Sequence, residues 1–104
     1  MNSSRREDAI AQGFGTAVRR RVVVHGRVQG VFFRDTTRRL AQAHGIAGSV
    51  RNRPDGTVEA AFEGPAQAVE DLIGFCRTGP RGARVDRVEI SDEPPRGEHG
   101  FRID

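Results

Sequence analysis

The stretch Gly26-Arg27-Val28-Gln29-Gly30-Val31-Phe32-Phe33-Arg34 holds the residues of this chain best suited to chemistry. Two glycines flank a turn that runs into a helical pattern. Backbone N–H groups at such a junction lack intrahelical partners and lie at the positive end of the helix dipole, so the turn can hold an anion. Arg34 opens the helix and can add a two-pronged guanidinium contact to the same anion. Neither the Walker P-loop spacing nor the dinucleotide fingerprint is met, and spacing alone leaves open a plain tight turn with a surface Arg. Asn52 is the second candidate. Its carboxamide can hold a water molecule without changing charge, although a turn-entry residue bonded to its own backbone is also open. The remaining polar groups read as structural. Cys76 falls on a helix stripe and is expected in the core, and His25 is an outward strand residue. His44 and Asp35 suit the end and the first turn of one helix. Arg38 and Arg39 belong to a solvated face. Phe33 is expected inward, and Phe32 is assigned to neither side.

These residues need elements to position them. Val22, Val24, Gly26 and Val28 share one face by period-two spacing, with Val23, His25 and Arg27 on the other, which predicts a strand. A helix follows from about Phe33 to His44 with Phe33, Thr37, Leu40 and Ala41 as its apolar stripe and Gly45 as its stop. Ile46, Gly48 and Val50 alternate in a second strand. Arg53-Pro54-Asp55-Gly56 is a hairpin turn. Val58, Ala60 and Phe62 point inward from a third strand, with Thr57, Glu59 and Glu63 outward. Pro65 is expected at the first position of a second helix, whose stripe is Pro65, Val69, Leu72, Ile73 and Cys76 and which ends at Thr78-Gly79-Pro80. Val85, Val88 and Ile90 mark a fourth strand whose broken spacing predicts a bulge or a late start. Phe101 and Ile103 form a short last strand.

The order βαββαβ plus a final β, with one-sided strands and amphipathic helices, predicts an α+β fold: a ferredoxin-like split βαβ sandwich with two helices on one face of a mostly antiparallel sheet. In that topology the first and second strands run parallel with the third between them. The Gly-rich turn and Asn52 therefore leave the sheet at the same edge, about 10 Å apart at two interstrand spacings.

Composition bounds the function. The chain has 104 residues, enough for one domain, and a net charge of +3. Residues 1–19 are expected to be a flexible extension and residues 20–104 the domain. No apolar run exceeds three residues, which predicts no membrane span and no signal core. One Cys and three scattered His give no disulfide and no zinc spacing, and a small cytoplasmic domain is expected. The pI near 10.8 reflects the absence of Lys and Tyr rather than a basic surface. The excess of Arg lies in residues 1–21, whereas residues 22–104 carry twelve Arg against twelve acids. An RNA-binding module would need exposed aromatics on central strands. The third strand offers only Phe62, expected inward, so no nucleic-acid partner is expected.

Two segments carry a family resemblance. Val24-His25-Gly26-Arg27-Val28-Gln29-Gly30-Val31-Phe32-Phe33-Arg34 resembles the first acylphosphatase signature, aliphatic-x-G-x-V-Q-G-V-x-F-R, at every specified position. Gly48-Ser49-Val50-Arg51-Asn52 with Gly56, Val58 and Gly64 resembles the second, except that Ser49 stands where the family usually carries an aromatic residue. Ser49 is expected on the face opposite Val50, where it alters packing or a substrate-side contact. The resemblance implies hydrolysis of acyl phosphates to a carboxylate and inorganic phosphate with no metal or other cofactor. It implies that Arg34 binds the phosphoryl group, that the amides of Gly26, Arg27, Val28, Gln29, Gly30, Val31 and Phe32 surround it, and that Asn52 positions the attacking water. Inorganic phosphate is then product and competitive inhibitor, and the protein is expected to act as a monomer. Related domains also head long hydrogenase-maturation chains with Cys-rich fingers, which a single Cys does not supply.

Overall fold

A computed structural model describes residues 17–104 of the protein. Most of the expected extension, residues 1–16, lies outside the described residues. The elements are β1 (Ala17–Arg27), α1 (Phe33–Ala43), β2 (Ala47–Asn52), β3 (Val58–Pro65), α2 (Ala66–Thr78), β4 (Arg84–Glu93) and β5 (Phe101–Ile103). The first residues of β1 are held on both faces: Val18 packs on the core, and Arg19 and Arg20 find carboxylates on neighbouring elements. Pro65 sits at the N-cap of α2, one residue before the expected position, and closes β3.

The five strands form one sheet in the order β4-β1-β3-β2-β5. β3 is antiparallel to both β1 and β2, so those two strands run parallel across it, and β5 pairs parallel to β2. One face carries the core. Val22, Val24, Val50, Val58, Ala60 and Phe62 meet Phe33 and Ala41 of α1 and Val69, Leu72, Ile73 and Cys76 of α2, all at most 2% exposed. Burying each large apolar side chain contributes about 1.5–3 kcal/mol. Phe62 stacks on Phe101 at 5.8 Å between ring centroids, which fastens β5 to the sheet.

Helix α1 ends as its glycine predicts. Gly45 adopts φ +68°, its amide donates to Gln42, and the Ile46 amide reaches back to the Ala41 carbonyl at 2.8 Å. This paired closure satisfies two carbonyls of the last turn. In the hairpin, Gly56 donates to the Arg53 carbonyl, and Asp55 accepts from both the amide and the hydroxyl of Thr57. The bulge in β4 is present: His25 pairs with Arg87 and Gly26 with Val85, leaving Asp86 as the extra residue.

The opposite face of the sheet is ionic. Arg19, 2% exposed, bonds Glu63 at 3.0 Å and Glu93 at 2.9 Å. Arg21 bridges Glu59 and Glu93, and Arg51 bonds Glu59. Glu63 was expected outward and does point away from the helices, yet it is buried. The chain after β4 folds over it, and the amides of Arg96 and Gly97 donate to its carboxylate at 2.9 and 2.7 Å. Burial alone would raise the Glu63 carboxyl; these amides and Arg19 outweigh that and hold it below the usual range. Ser49 faces Ala61 across the β2–β3 pair on this side. The two small residues floor a hollow of about 150 Å³ edged by Arg19, Arg21, Arg51, Arg96 and Arg102. The missing aromatic thus changes packing on the ionic face; Ser49 does not line the cleft described next.

Candidate active site

At the edge where β1 and β2 end, a cleft of about 330 Å³ is lined by Val28, Gly30, Phe32, Phe33, Arg34, Asp35, Asn52 and Ile103. The turn leaving β1 forms one wall. It starts at Gly26, whose φ of +131° is open to glycine alone. A Cβ there would stand 2.1 Å from the Arg84 carbonyl oxygen and 2.9 Å from the Asp86 amide nitrogen in the bulge of β4. Further on, Gly30 at φ +74° and Phe32 at φ +60° alternate with Val31. Alternating handedness of this kind turns successive N–H groups toward one concave side. Among the described residues, the amides of 29–35 bond no other element, and the first to close a helical bond is that of Thr36, to the Phe32 carbonyl at 3.1 Å. The cleft wall is therefore a set of donors without acceptors, at the positive end of α1.

Arg34 stands in the first turn of α1 and lines the cleft. Its neighbour Asp35 bonds Arg38 at 2.9 Å and Arg39 at 3.2 Å. Among the described residues no carboxylate pairs with Arg34, so its guanidinium is available to an incoming anion. Asn52 enters from the end of β2. Its Oδ1 is buried and has no hydrogen-bond partner among the described residues. A buried carboxamide oxygen left without a donor costs about 1–3 kcal/mol, so this oxygen is an acceptor available to a donor that enters the cleft.

The turn and the Asn52 strand are cross-linked by a residue whose side chain the sequence reading did not use. The Gln29 amide nitrogen donates to the carbonyls of Arg53 at 2.8 Å and Thr57 at 2.9 Å, the two ends of the hairpin after Asn52. Ile103 was also missed. Its pairing with Val50 in the parallel β2–β5 ladder brings it beside Asn52, a placement available only once that ladder was known. Of the residues expected here, Val28, Gly30, Phe32, Arg34 and Asn52 meet in the cleft. Gly26 lies against β4, Arg27 is exposed at the end of β1, Gln29 acts as the brace, and Val31 packs toward the core. His25 contacts Arg87 and lies within 3.4 Å of Glu89 on β4, away from the cleft lining. Cys76 is buried under α2, where burial pushes its thiol up to about 12, so it offers no thiolate near neutral pH.

Comparison with known proteins places these features in a family. A family model described as Acylphosphatase matches residues 20–103. The chain is 56% identical over 84 residues to an acylphosphatase of Rubrobacter xylanophilus, spanning 80% of this chain and 76% of that one. It is 53% identical over 88 residues to an acylphosphatase of Gloeobacter violaceus, with 85% and 95% covered. The crystal structure of acylphosphatase from Bacillus subtilis superposes with a TM-score of 0.81 at 34% identity, covering 84% of this chain and 98% of that one.

Proposed function

The chain belongs to the acylphosphatase family, and on that premise we propose that it hydrolyses acyl phosphates to a carboxylate and inorganic phosphate by direct attack of water on phosphorus. The observation that carries this reading is the partnerless Asn52 Oδ1 in the same cleft as an Arg34 that no described carboxylate neutralises.

The phosphoryl oxygens occupy the concave set of amides between β1 and α1, with the Arg34 guanidinium on two of them. Asn52 accepts a hydrogen bond from the water and holds it on the phosphorus side. The leaving carboxylate has a conjugate acid with pKa of about 4, so it departs without a general acid. Transfer passes through a loose transition state in which attacking and leaving oxygens are in line, and what the site must supply is alignment and stabilisation of charge on the equatorial oxygens. Fixed amides and one Arg supply the second, and Asn52 braced by Gln29 supplies the first. The proton released by the water passes to a phosphoryl oxygen of the substrate, since Asn52 cannot take it. Inorganic phosphate, sharing the cradle's ligands, is then a competitive inhibitor. We place the protein in the cytoplasm as a monomer; its buried, unpaired Cys76 suits a reducing compartment.

The test is hydrolysis of benzoyl phosphate by the full chain in excess chelator. Activity should persist, and ¹⁸O from labelled water should appear in the phosphate and not in the benzoate. Arg34→Gln should lower kcat about 10³-fold, and Asn52→Ala should lower kcat about 10²-fold with little change in KM, because the Asn52 contact is made to the nucleophile rather than to bound substrate. Label in the benzoate, or an Arg34→Gln variant near the wild-type rate, overturns the mechanism.

A further inference from the structure

Phe32 breaks three local preferences at once. It is 80% exposed, whereas Phe33, Phe62 and Phe101 are 2%, 0% and 6% exposed. Its backbone is left-handed, at φ 60° and ψ 25°, a conformation that Gly or Asn adopts freely but that strains a bulky side chain. It also occupies the N-cap of α1 without a capping side chain, a place where Ser, Thr, Asp or Asn would bond a free amide. Among the described residues its ring pairs with no other aromatic, unlike Phe33 with Phe75 or Phe62 with Phe101. Nothing among the described residues rewards an aromatic side chain here. It does, however, form part of the wall of the cleft that holds Arg34 and Asn52. Unrewarded local violations gathered at a site mark a residue kept for what it binds.

We infer that the Phe32 ring is the platform on which the acyl part of the substrate rests, making this protein selective for acyl phosphates with aromatic or bulky apolar acyl groups over small ones. The inference rests on the acyl-phosphate reading above. With the phosphoryl group seated among the turn amides, the bridging oxygen and acyl carbon must project from the cradle toward solvent. A methyl group there gains little from any wall. A phenyl or branched alkyl group reaches a second surface, and the cleft offers a matching one: the exposed Phe32 ring, with the half-buried Ile103 in the same lining. Offset or edge contact between rings favours the aromatic acyl group. An acyl group carrying its own carboxylate gains nothing from that ring.

The experiment compares kcat/KM for benzoyl phosphate and acetyl phosphate in wild type, Phe32→Ala and Phe32→Tyr, with the inhibition constant of inorganic phosphate measured for each. The readout is the benzoyl-to-acetyl ratio, in which damage to the shared phosphoryl cradle cancels. Phe32→Ala, which keeps the backbone amide, should lower the ratio about three- to tenfold. Phe32→Tyr, which keeps the ring, should hold it within about twofold. An unchanged ratio in Phe32→Ala on an active enzyme overturns the role of Phe32 and leaves the hydrolase reading standing, as does an equal fall in both variants. Wild type that hydrolyses neither compound overturns the hydrolase reading and this inference with it.

Discussion

The arginines on the ionic face of the sheet and Arg34 at its edge, in the first turn of α1, live in opposite circumstances. On the ionic face, Arg19, Arg21 and Arg51 each meet at least one carboxylate within 3.0 Å, and Glu93 between two of them is pulled down to about 2 by the hydrogen bonds of Arg21 and Arg19. At the edge of the same sheet, Arg34 has an acid next to it in the chain, yet that acid is turned to Arg38 and Arg39. The residue type is the same; the difference is whether a carboxylate has been supplied. A guanidinium already saturated by Glu stabilises a fold and has little left for a ligand. One that shares a cleft with amides and a carboxamide oxygen left without partners among the described residues keeps its donors for a ligand, as the proposed function requires.

The contrast can be broken most severely by giving the cleft an acid of its own. Asn52→Asp puts a carboxylate in the cleft that Arg34 also lines, where the proposed mechanism holds its water. We expect kcat/KM for benzoyl phosphate to fall about 10³-fold or more, with weakened inhibition by inorganic phosphate. The converse change removes an acid from the ionic face. Glu63→Ala strips Arg19 of one partner and leaves the amides of Arg96 and Gly97 without an acceptor. A loss of about 3 kcal/mol in urea denaturation is expected, while kcat at a temperature where the variant is folded stays close to wild type. Gln29→Ala cuts the brace between the two regions of the site. It should lower kcat about 10- to 100-fold by misplacing Asn52, with a smaller effect on the affinity for inorganic phosphate. Acid stability tests the ionic face directly. Glu93 has a folded pKa of about 2 against 4.5 unperturbed, so its contribution is complete above about pH 5 and is lost as pH falls through 2. Urea midpoints should decline over that window, and Glu93→Gln should flatten the decline.

How much of this was legible beforehand depends on the range of the interactions. The stop of α1 at Gly45 and the hairpin at Arg53 to Gly56 are local bonds between residues at most five apart, and both were visible as residue types. The meeting of Arg34 and Asn52 followed from topology, since β1 and β2 flank β3 and end at one edge. The ionic face was not legible. Alternation along β3 tells which face Glu63 points to, but not that a loop from beyond β4 covers it. The run Arg19-Arg20-Arg21 interrupts the apolar period and disguised the start of β1, because its rewards are carboxylates on α2, β3 and β4. Gln29 was counted as one more loop amide, for its two acceptors lie on the hairpin of the neighbouring strand.

The contact of Gly26 with β4 ties the glycine turn after β1 to a strand that contributes no residue to the cleft lining. The first backbone torsion of the cradle is thus dictated from the far border of the sheet, where the carbonyl of Arg84 occupies the space a methyl group would need. Position 26 and the segment Arg84 to Arg87 should consequently vary as a unit. A genetic selection that forces alanine at 26 and demands restored hydrolysis should return compensating changes in that distant ribbon, removal of Asp86 foremost, rather than changes among the residues that touch substrate.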